Sequence, residues 1–217
     1  FAKNSKYQPS VSATTLNLFE GYALENVEVT KQVNIKNTKI YELLERNLTN
    51  YDKPCFEYLL DFIAHKIQKS FIKIPVCQLF VNSAPGAGKS SFSIFLRNLF
   101  SVGGSNTFCS YNNLQSFCSN FNLEKATCLW IALEEVKGGK LQCFDNILKD
   151  EISSSVTLLE KKGVDRKQVN SFFSILVYSN ELRVVRVDRK DRRMMFYTCN
   201  SEKANQKDFF DELYREF

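Results

Sequence analysis

Val76-Cys77-Gln78-Leu79-Phe80-Val81, followed at once by Asn82-Ser83-Ala84-Pro85-Gly86-Ala87-Gly88-Lys89-Ser90-Ser91, is the stretch on which the fold turns. The first six residues form a short apolar run suited to a strand buried on both faces. The next ten are small, rich in glycine and closed by Lys-Ser, and the apolar spacing after them predicts a helix from Ser90 to Phe100. Strand, loop and helix in this order open an α/β unit. Backbone N–H groups of such a loop can close around phosphate oxygens at the helix amino end, where the helix dipole also favours negative charge. The candidate nucleotide-binding residues are therefore Pro85, Gly86, Ala87, Gly88, Lys89, Ser90 and Ser91. Lys89 has the reach for β- and γ-phosphates, and the Ser90 hydroxyl can ligate Mg²⁺. Ser83 stands where the strict G-x-x-x-x-G-K-[ST] pattern has its first glycine, so the turn must be made without it. The bland alternative is a turn in which Gly86 and Gly88 hold no ligand.

On the amino-terminal side, apolar residues recur at helical spacing over Ile40 to Leu48 and Cys55 to Ile67, with Phe56, Leu59, Leu60, Phe62, Ile63 and Ile67 on one face. Residues 1 to about 39 show no period and read as an extended arm. On the carboxyl side, apolar runs at Thr107 to Tyr111, Thr127 to Leu133, Ser171 to Tyr178 and Met194 to Cys199 read as strands, with helices at Leu114 to Asn120 and Leu141 to Ile152. This alternation predicts an α/β fold, a mostly parallel sheet flanked by helices. Asp208 to Phe217 begins a helix that looks cut off. The expected organisation is an arm and small helical subdomain over 1–70, the α/β core over 71–200 and the start of a carboxyl-terminal helix over 201–217.

The 217 residues suit one main core, and 44% hydrophobic with 24% charged residues excludes fibrous and disordered classes. No run approaches about 18 consecutive apolar residues, and no secretory leader pattern appears, so an intracellular setting without a membrane is expected. The first residue is Phe1 rather than Met, which suggests a piece of a longer protein. Seven cysteines without a C-x-x-C pair suggest neither a disulfide framework nor a zinc site; most sit in apolar runs as small buried hydrophobes. His65, the single histidine, lies among apolar helix residues and reads as packing. A net charge of +5 permits a polyanionic partner without demanding one.

A nucleotide loop becomes a hydrolase only with an acid to hold the metal and activate water. Leu129-Trp130-Ile131-Ala132-Leu133-Glu134-Glu135 supplies a strand ending in two acids, Glu134 for Mg²⁺ and Glu135 for water. Ser171 to Ser179 is a further strand with Asn180 at its exit, and this amide should share a sheet edge with the phosphate loop. Taken alone, Asn180 reads more simply as a turn residue. Arg183 to Arg193 carries six basic and two acidic residues; solvated charge is the usual explanation, yet Arg192 and Arg193 directly precede a strand and a guanidinium held there can serve a neighbouring subunit's phosphate. Thr157 to Val169 reads as a hairpin with a basic tip, Lys161, Lys162, Arg166 and Lys167 around Gly163. Such cations can track a nucleic-acid backbone, or simply face water.

The ordered set of Lys89-Ser90, Glu134-Glu135, Asn180 and Arg192-Arg193 within about 110 residues resembles a superfamily 3 helicase, and within it the poxvirus-type primase-helicases of large DNA viruses, phages and plasmids. The likeness covers roughly residues 55 to 200. It implies an AAA+ core with a helical collar before it and a ring, usually a hexamer, with ATP and Mg²⁺ between subunits. Lys89 and Ser90 would then be the phosphate and metal groups, Glu134 and Glu135 the acidic pair, Asn180 the sensor, and Arg192 or Arg193 the finger in trans. Members of the family move on single-stranded or forked DNA during replication, in host cytoplasm or nucleus where the source is viral, and a primase domain can belong to the same full-length chain. Ser83 and the lack of a proline soon after Asn180 depart from the pattern. The competing class is a ring ATPase that remodels RNA, membrane or protein, of the picornavirus replication type. A nucleotide-binding module without hydrolysis fits the two acids poorly.

Overall fold

The computed structural model describes Tyr22, Glu28 and residues 32–100, 107–119, 122–136, 142–161, 164–181 and 191–217. The expected arm falls largely outside these residues, as do Lys162, Gly163 and residues 182–190; the Lys161 side chain is likewise not described.

After a 3-10 turn at Ile35–Asn37, two helices follow, each started by a side-chain cap. The Thr38 hydroxyl accepts from Tyr41 N–H at 3.3 Å and the Asp52 carboxylate from Cys55 N–H at 2.9 Å, satisfying donors that have no intrahelical partner. α1 (Lys39–Glu42) runs on as a π-helix, Leu43–Leu48, and α2 spans Lys53–Gln68. The remaining elements are β1 (Cys77–Val81), α3 (Lys89–Leu99), β2 (Phe108–Tyr111), α4 (Leu114–Phe117), β3 (Trp130–Leu133), α5 (Gln142–Ser153), β4 (Val156–Lys161), β5 (Val164–Asn170), β6 (Ser174–Ser179), β7 (Met194–Thr198) and α6 (Lys207–Arg215).

Five strands form one parallel sheet in the order β2-β3-β6-β1-β7, the α/β architecture that the alternating pattern predicts. β1 pairs on both edges, Val81 lying opposite Ser179 of β6 and Thr198 of β7, and all five of its residues are buried. Alternate side chains feed two core layers. Phe80, Trp130, Ala132, Leu176, Tyr178 and Tyr197 meet α1, α2, α3 and α6. Leu79, Val81, Ile131, Leu133, Ile175 and Val177 meet Leu148 and Ile152 of α5 on the other side. Phe80 is the hub of the first layer, stacked on Tyr197 at 4.5 Å between centroids and edge-on to Phe92 at 5.5 Å. Glu216, after α6, ties the last helix to the first by accepting from the backbone N–H groups of Lys39 and Ile40 at 2.7 and 3.0 Å.

The basic segment between α5 and β6 is an antiparallel hairpin, β4 against β5, with Thr157 opposite Val169 and Leu159 opposite Lys167. Asn122 anchors it, its amide donating to Leu158 O at 2.9 Å and accepting from Glu160 N–H at 3.1 Å. Three expectations needed correction. The helix expected over Leu114 to Asn120 is one turn, α4, closed where Ser119 N–H turns back to Ser116 O. The strand expected from Thr127 begins at Trp130, because Leu129 and Trp130 both donate to Thr107 O and bulge the entry. The strand expected from Ser171 begins at Ser174, since before it Ser171 N–H is bonded to Ser155 O at 2.8 Å, and the Phe172 carbonyl and the Ser171 hydroxyl each take a lysine.

The first of these lysines is Lys66, fully buried on α2 beside apolar neighbours, its ammonium on the carbonyl of Phe172. The second, Lys73, donates to Glu151 O and Ser171 Oγ, each at 2.6 Å. Among the described residues no carboxylate pairs with Lys66; burial, and secondarily the charge of Lys73, push its pKa down from 10.5 to about 7. Between those values the unfolded chain binds a proton that the folded chain does not, so stability rises with pH across that window, and the penalty is fully present below about pH 7. Denaturant midpoints should climb from pH 6.5 to pH 9 in the parent protein, and Lys66→Met should flatten that climb; equal slopes in both proteins would refute the assignment.

Candidate functional site

Parallel strands end on one edge, and three of them bring the predicted residues together there. The loop leaves β1 at Asn82, Glu134 and Glu135 follow β3, and Asn180 follows β6, which lies between β1 and β3. Lys89, the first residue of α3, donates to Asn180 Oδ1 at 2.8 Å and to Ser179 O at 3.2 Å. Burial, the main influence, lowers its pKa, with Cys199 and Glu134 opposing.

The loop is shaped from behind. Gly86 and Gly88 hold φ of +91° and +85°, which L side chains rarely adopt. A Cβ on Gly86 would lie 2.7 Å from Ala204 Cβ, and one on Gly88 2.5 Å from Leu43 Cδ1. The loop is thus wedged between the π-helix and the turn after β7. Gly88 caps α3 without any side-chain hydrogen bond, so the cap itself supplies no partner for the first-turn N–H groups, the donor set suited to phosphate oxygens. Pro85, Gly86 and Ser90 are exposed at this mouth, whereas Ala87 is buried and Ser91 turns inward, its hydroxyl 2.8 Å from that of Tyr214.

The two acids differ. Glu134 is half-buried; burial holds its carboxyl above the usual range, Glu135 adds to this, and the Ser93 hydroxyl with the charges of Arg97 and Lys89 pulls the other way. Glu135 is exposed at φ +51°, a left-handed backbone costing about 1 kcal/mol or more. Bonds on either side impose it: Glu134 N–H to Tyr111 O at 2.9 Å, Val136 N–H to Tyr178 O at 3.0 Å, and Ser179 Oγ to Val136 O at 2.6 Å. Ser93 and Arg97 were missed in the sequence reading, although Lys89, Ser93 and Arg97 recur every four residues and so share one helix face.

Arg192 and Arg193 lie elsewhere. They precede β7, at the opposite end of the sheet, and five strand residues span about 17 Å. Arg193 is held by Asp191 through two hydrogen bonds of 2.9 Å, and this guanidinium, the leading influence, keeps the Asp191 carboxyl at about 2. Arg192 is exposed and lines a cavity of about 780 Å³ with Pro75, Val76, Lys149 and Ser153. On the hairpin, Arg166 pairs with Glu160 at 2.8 Å and Lys167 is exposed. Among the described residues no His, Cys, Asp or Glu side chains gather as a ready metal cluster, no helix is long and apolar enough to cross a membrane, and no disulfide forms.

Residues 81–193, just over half of the chain, match the model of DUF5906, described as a family of unknown function. No curated protein matches. The apo structure of the NrS-1 C terminal region is similar in fold, with a TM-score of 0.76 at 22% identity over 92% of this chain and 48% of that one. Its A form gives 0.73 at 22% identity, over 92% and 46%. This chain therefore spans about half the length of the region it matches. A JCV helicase bound to a thiazolopyridine compound gives 0.45 at 16% identity over 81% of this chain and 52% of that one, too slight a likeness to argue from.

Replacing Gly88 by Ala should lower unfolding free energy by about 1–3 kcal/mol, since the φ is strained whatever the space. Combined with Leu43→Ala, the double variant should lose less than the sum of the two single losses, because the smaller side chain removes the collision. Denaturant titration of the two singles and the double variant measures this.

Proposed function

The chain belongs to the DUF5906 family, and we propose that it is an ATP-driven translocase on single-stranded DNA, the helicase part of a viral or mobile-element primase-helicase working as a ring. The observation that carries this reading is the hydrogen bond from Lys89 to Asn180 at a sheet edge that also ends in Glu134 and Glu135. Positive charge, a polar amide and two carboxylates around uncapped helix N–H groups are the parts that phosphoryl transfer to water needs.

In this reading Pro85 to Ser91 cradle the phosphates of ATP, and Lys89 leaves Asn180 for the β- and γ-oxygens. Mg²⁺, when bound, supplies the Lewis acid that offsets charge on those oxygens, with Ser90 and Glu134 as its protein groups. Glu135, turned outward by its left-handed backbone, orients and deprotonates the attacking water. Asn180, released by Lys89, holds that water or the γ-phosphate. The arginine finger acts from the neighbouring subunit, because about 17 Å of strand separates it from its own loop. Arg192 is assigned this role, Arg193 being committed to Asp191. The hairpin of β4 and β5 leaves the sheet between α5 and β6, and Lys161, Lys162, Arg166 and Lys167 would face DNA in a central channel.

The parent protein should hydrolyse ATP, and Lys89→Ala should abolish hydrolysis while leaving the fold intact by circular dichroism. Glu135→Gln should keep ATP bound with turnover stopped. Hydrolysis at the parent rate in Lys89→Ala would remove the loop assignment, and unchanged turnover in Glu135→Gln would pass the water to Glu134.

Lys161→Ala with Lys162→Ala should weaken binding of a labelled single-stranded oligonucleotide and lower the log-log salt slope by roughly 0.7 per lost contact, with basal ATP hydrolysis near normal. Equal slopes would leave the hairpin as a solvated loop. Duplex unwinding that requires ATP separates this function from a ring ATPase that remodels RNA, membrane or protein.

A further inference from the structure

We infer that Ser201 is a positioning residue for the phosphate loop, an assignment that rests on the reading of that loop as the ATP site. The loop lacks the glycine that would start its turn: Ser83 stands there, and unlike Gly86 and Gly88 it does not take a positive φ. Within the loop only a long contact, Ala84 N–H to Asn82 Oδ1 at 3.4 Å, spans that first turn.

The missing constraint comes from a residue 116 to 119 positions away in sequence from the groups it meets. Ser201 Oγ accepts from Asn82 Nδ2 at 2.7 Å and donates to Pro85 O at 3.2 Å, with Ala84 O at 3.5 Å. A hydroxyl has one donor and two lone pairs, so a single oxygen joins the loop's entrance to its crest. Ser201 is itself held on both sides. Cys199 N–H extends the β1–β7 ladder to Val81 O at 2.8 Å, and Asn200 N–H reaches Asn47 O at 2.9 Å. After it, Ala204 N–H turns back to Ser201 O at 2.9 Å, which presses Ala204 against Gly86. Two further ties run to the amino-terminal region, from Glu202 to Tyr51 in the turn before α2 at 2.6 Å and from Lys203 to Glu42 of α1 at 2.9 Å. The hydroxyl is thus a fixed point against which the loop is set, and it touches the loop's rear.

A group that prearranges a binding loop governs affinity more than chemistry. Ser201→Ala should weaken ATP binding, measured by calorimetry, by about five- to tenfold, the worth of one or two hydrogen bonds. KM for ATP should rise by a similar factor with kcat falling far less, and Ser201→Thr, which keeps the hydroxyl, should restore both. Asn82→Ala should reproduce the loss, and the double variant should be no weaker than either single; this pair serves if Ser201→Ala folds poorly. Parent-like affinity in Ser201→Ala or Asn82→Ala, while Lys89→Ala binds no ATP, would overturn the inference and leave the ATP reading standing. A parent protein that does not bind ATP would remove both.

Discussion

A strand hydrogen-bonded on both edges and covered on both faces meets solvent only at its ends, and β1 is such a strand; its one amide, Gln78, is buried and accepts from the Tyr197 hydroxyl at 2.6 Å. Its neighbours β6 and β7 both run parallel to it, which collects the strand exits on one side of the sheet. The Phe80 stack on Tyr197 and the edge contact with Phe92 fix how far α3 stands from that edge. Lys89 at the start of α3 then has one carbonyl and one amide within reach, those of Ser179 and Asn180. The polar site is a consequence of a strand buried along its whole length.

Much of this was legible in the residues. The run Val76 to Val81 and the loop after it announced the central strand, and apolar runs of strand length announced its partners. What stayed hidden depended on distance or on broken pattern. Lys66 is a cation on an apolar helix face, and its burial follows from the carbonyl of Phe172, more than 100 residues on. Ser201 looked like an ordinary loop serine, because its partners Asn82 and Pro85 lie far back in the chain. Arg192 and Arg193 read as equivalent neighbours until Asp191 was seen to hold only the second. Spacing reports local periodicity; it carries no information on which distant groups a turn will meet.

The loop is also supported unequally. Its mouth is open, with Pro85, Gly86 and Ser90 exposed, while its rear is pressed by Leu43, Ser201 and Ala204. Glycine here answers to packing as much as to ligand approach, since the atoms that a Cβ would strike belong to the protein. The helices before the sheet and the turn after β7 therefore form part of the wall of the site, joined to each other by Lys203 and Glu42.

The π-helix of Leu43 to Leu48 adds a consequence for how such a chain can change. A residue more per turn than an α-helix shifts the phase of everything after it by about 100°. Deleting one residue there can relax the turn to ordinary α geometry, and the phase is recovered without moving the ends. A single-residue deletion, which elsewhere in a helix would throw a buried face into solvent, can be absorbed by this segment, the one π-helix among the described residues, and it is the segment that touches Gly88.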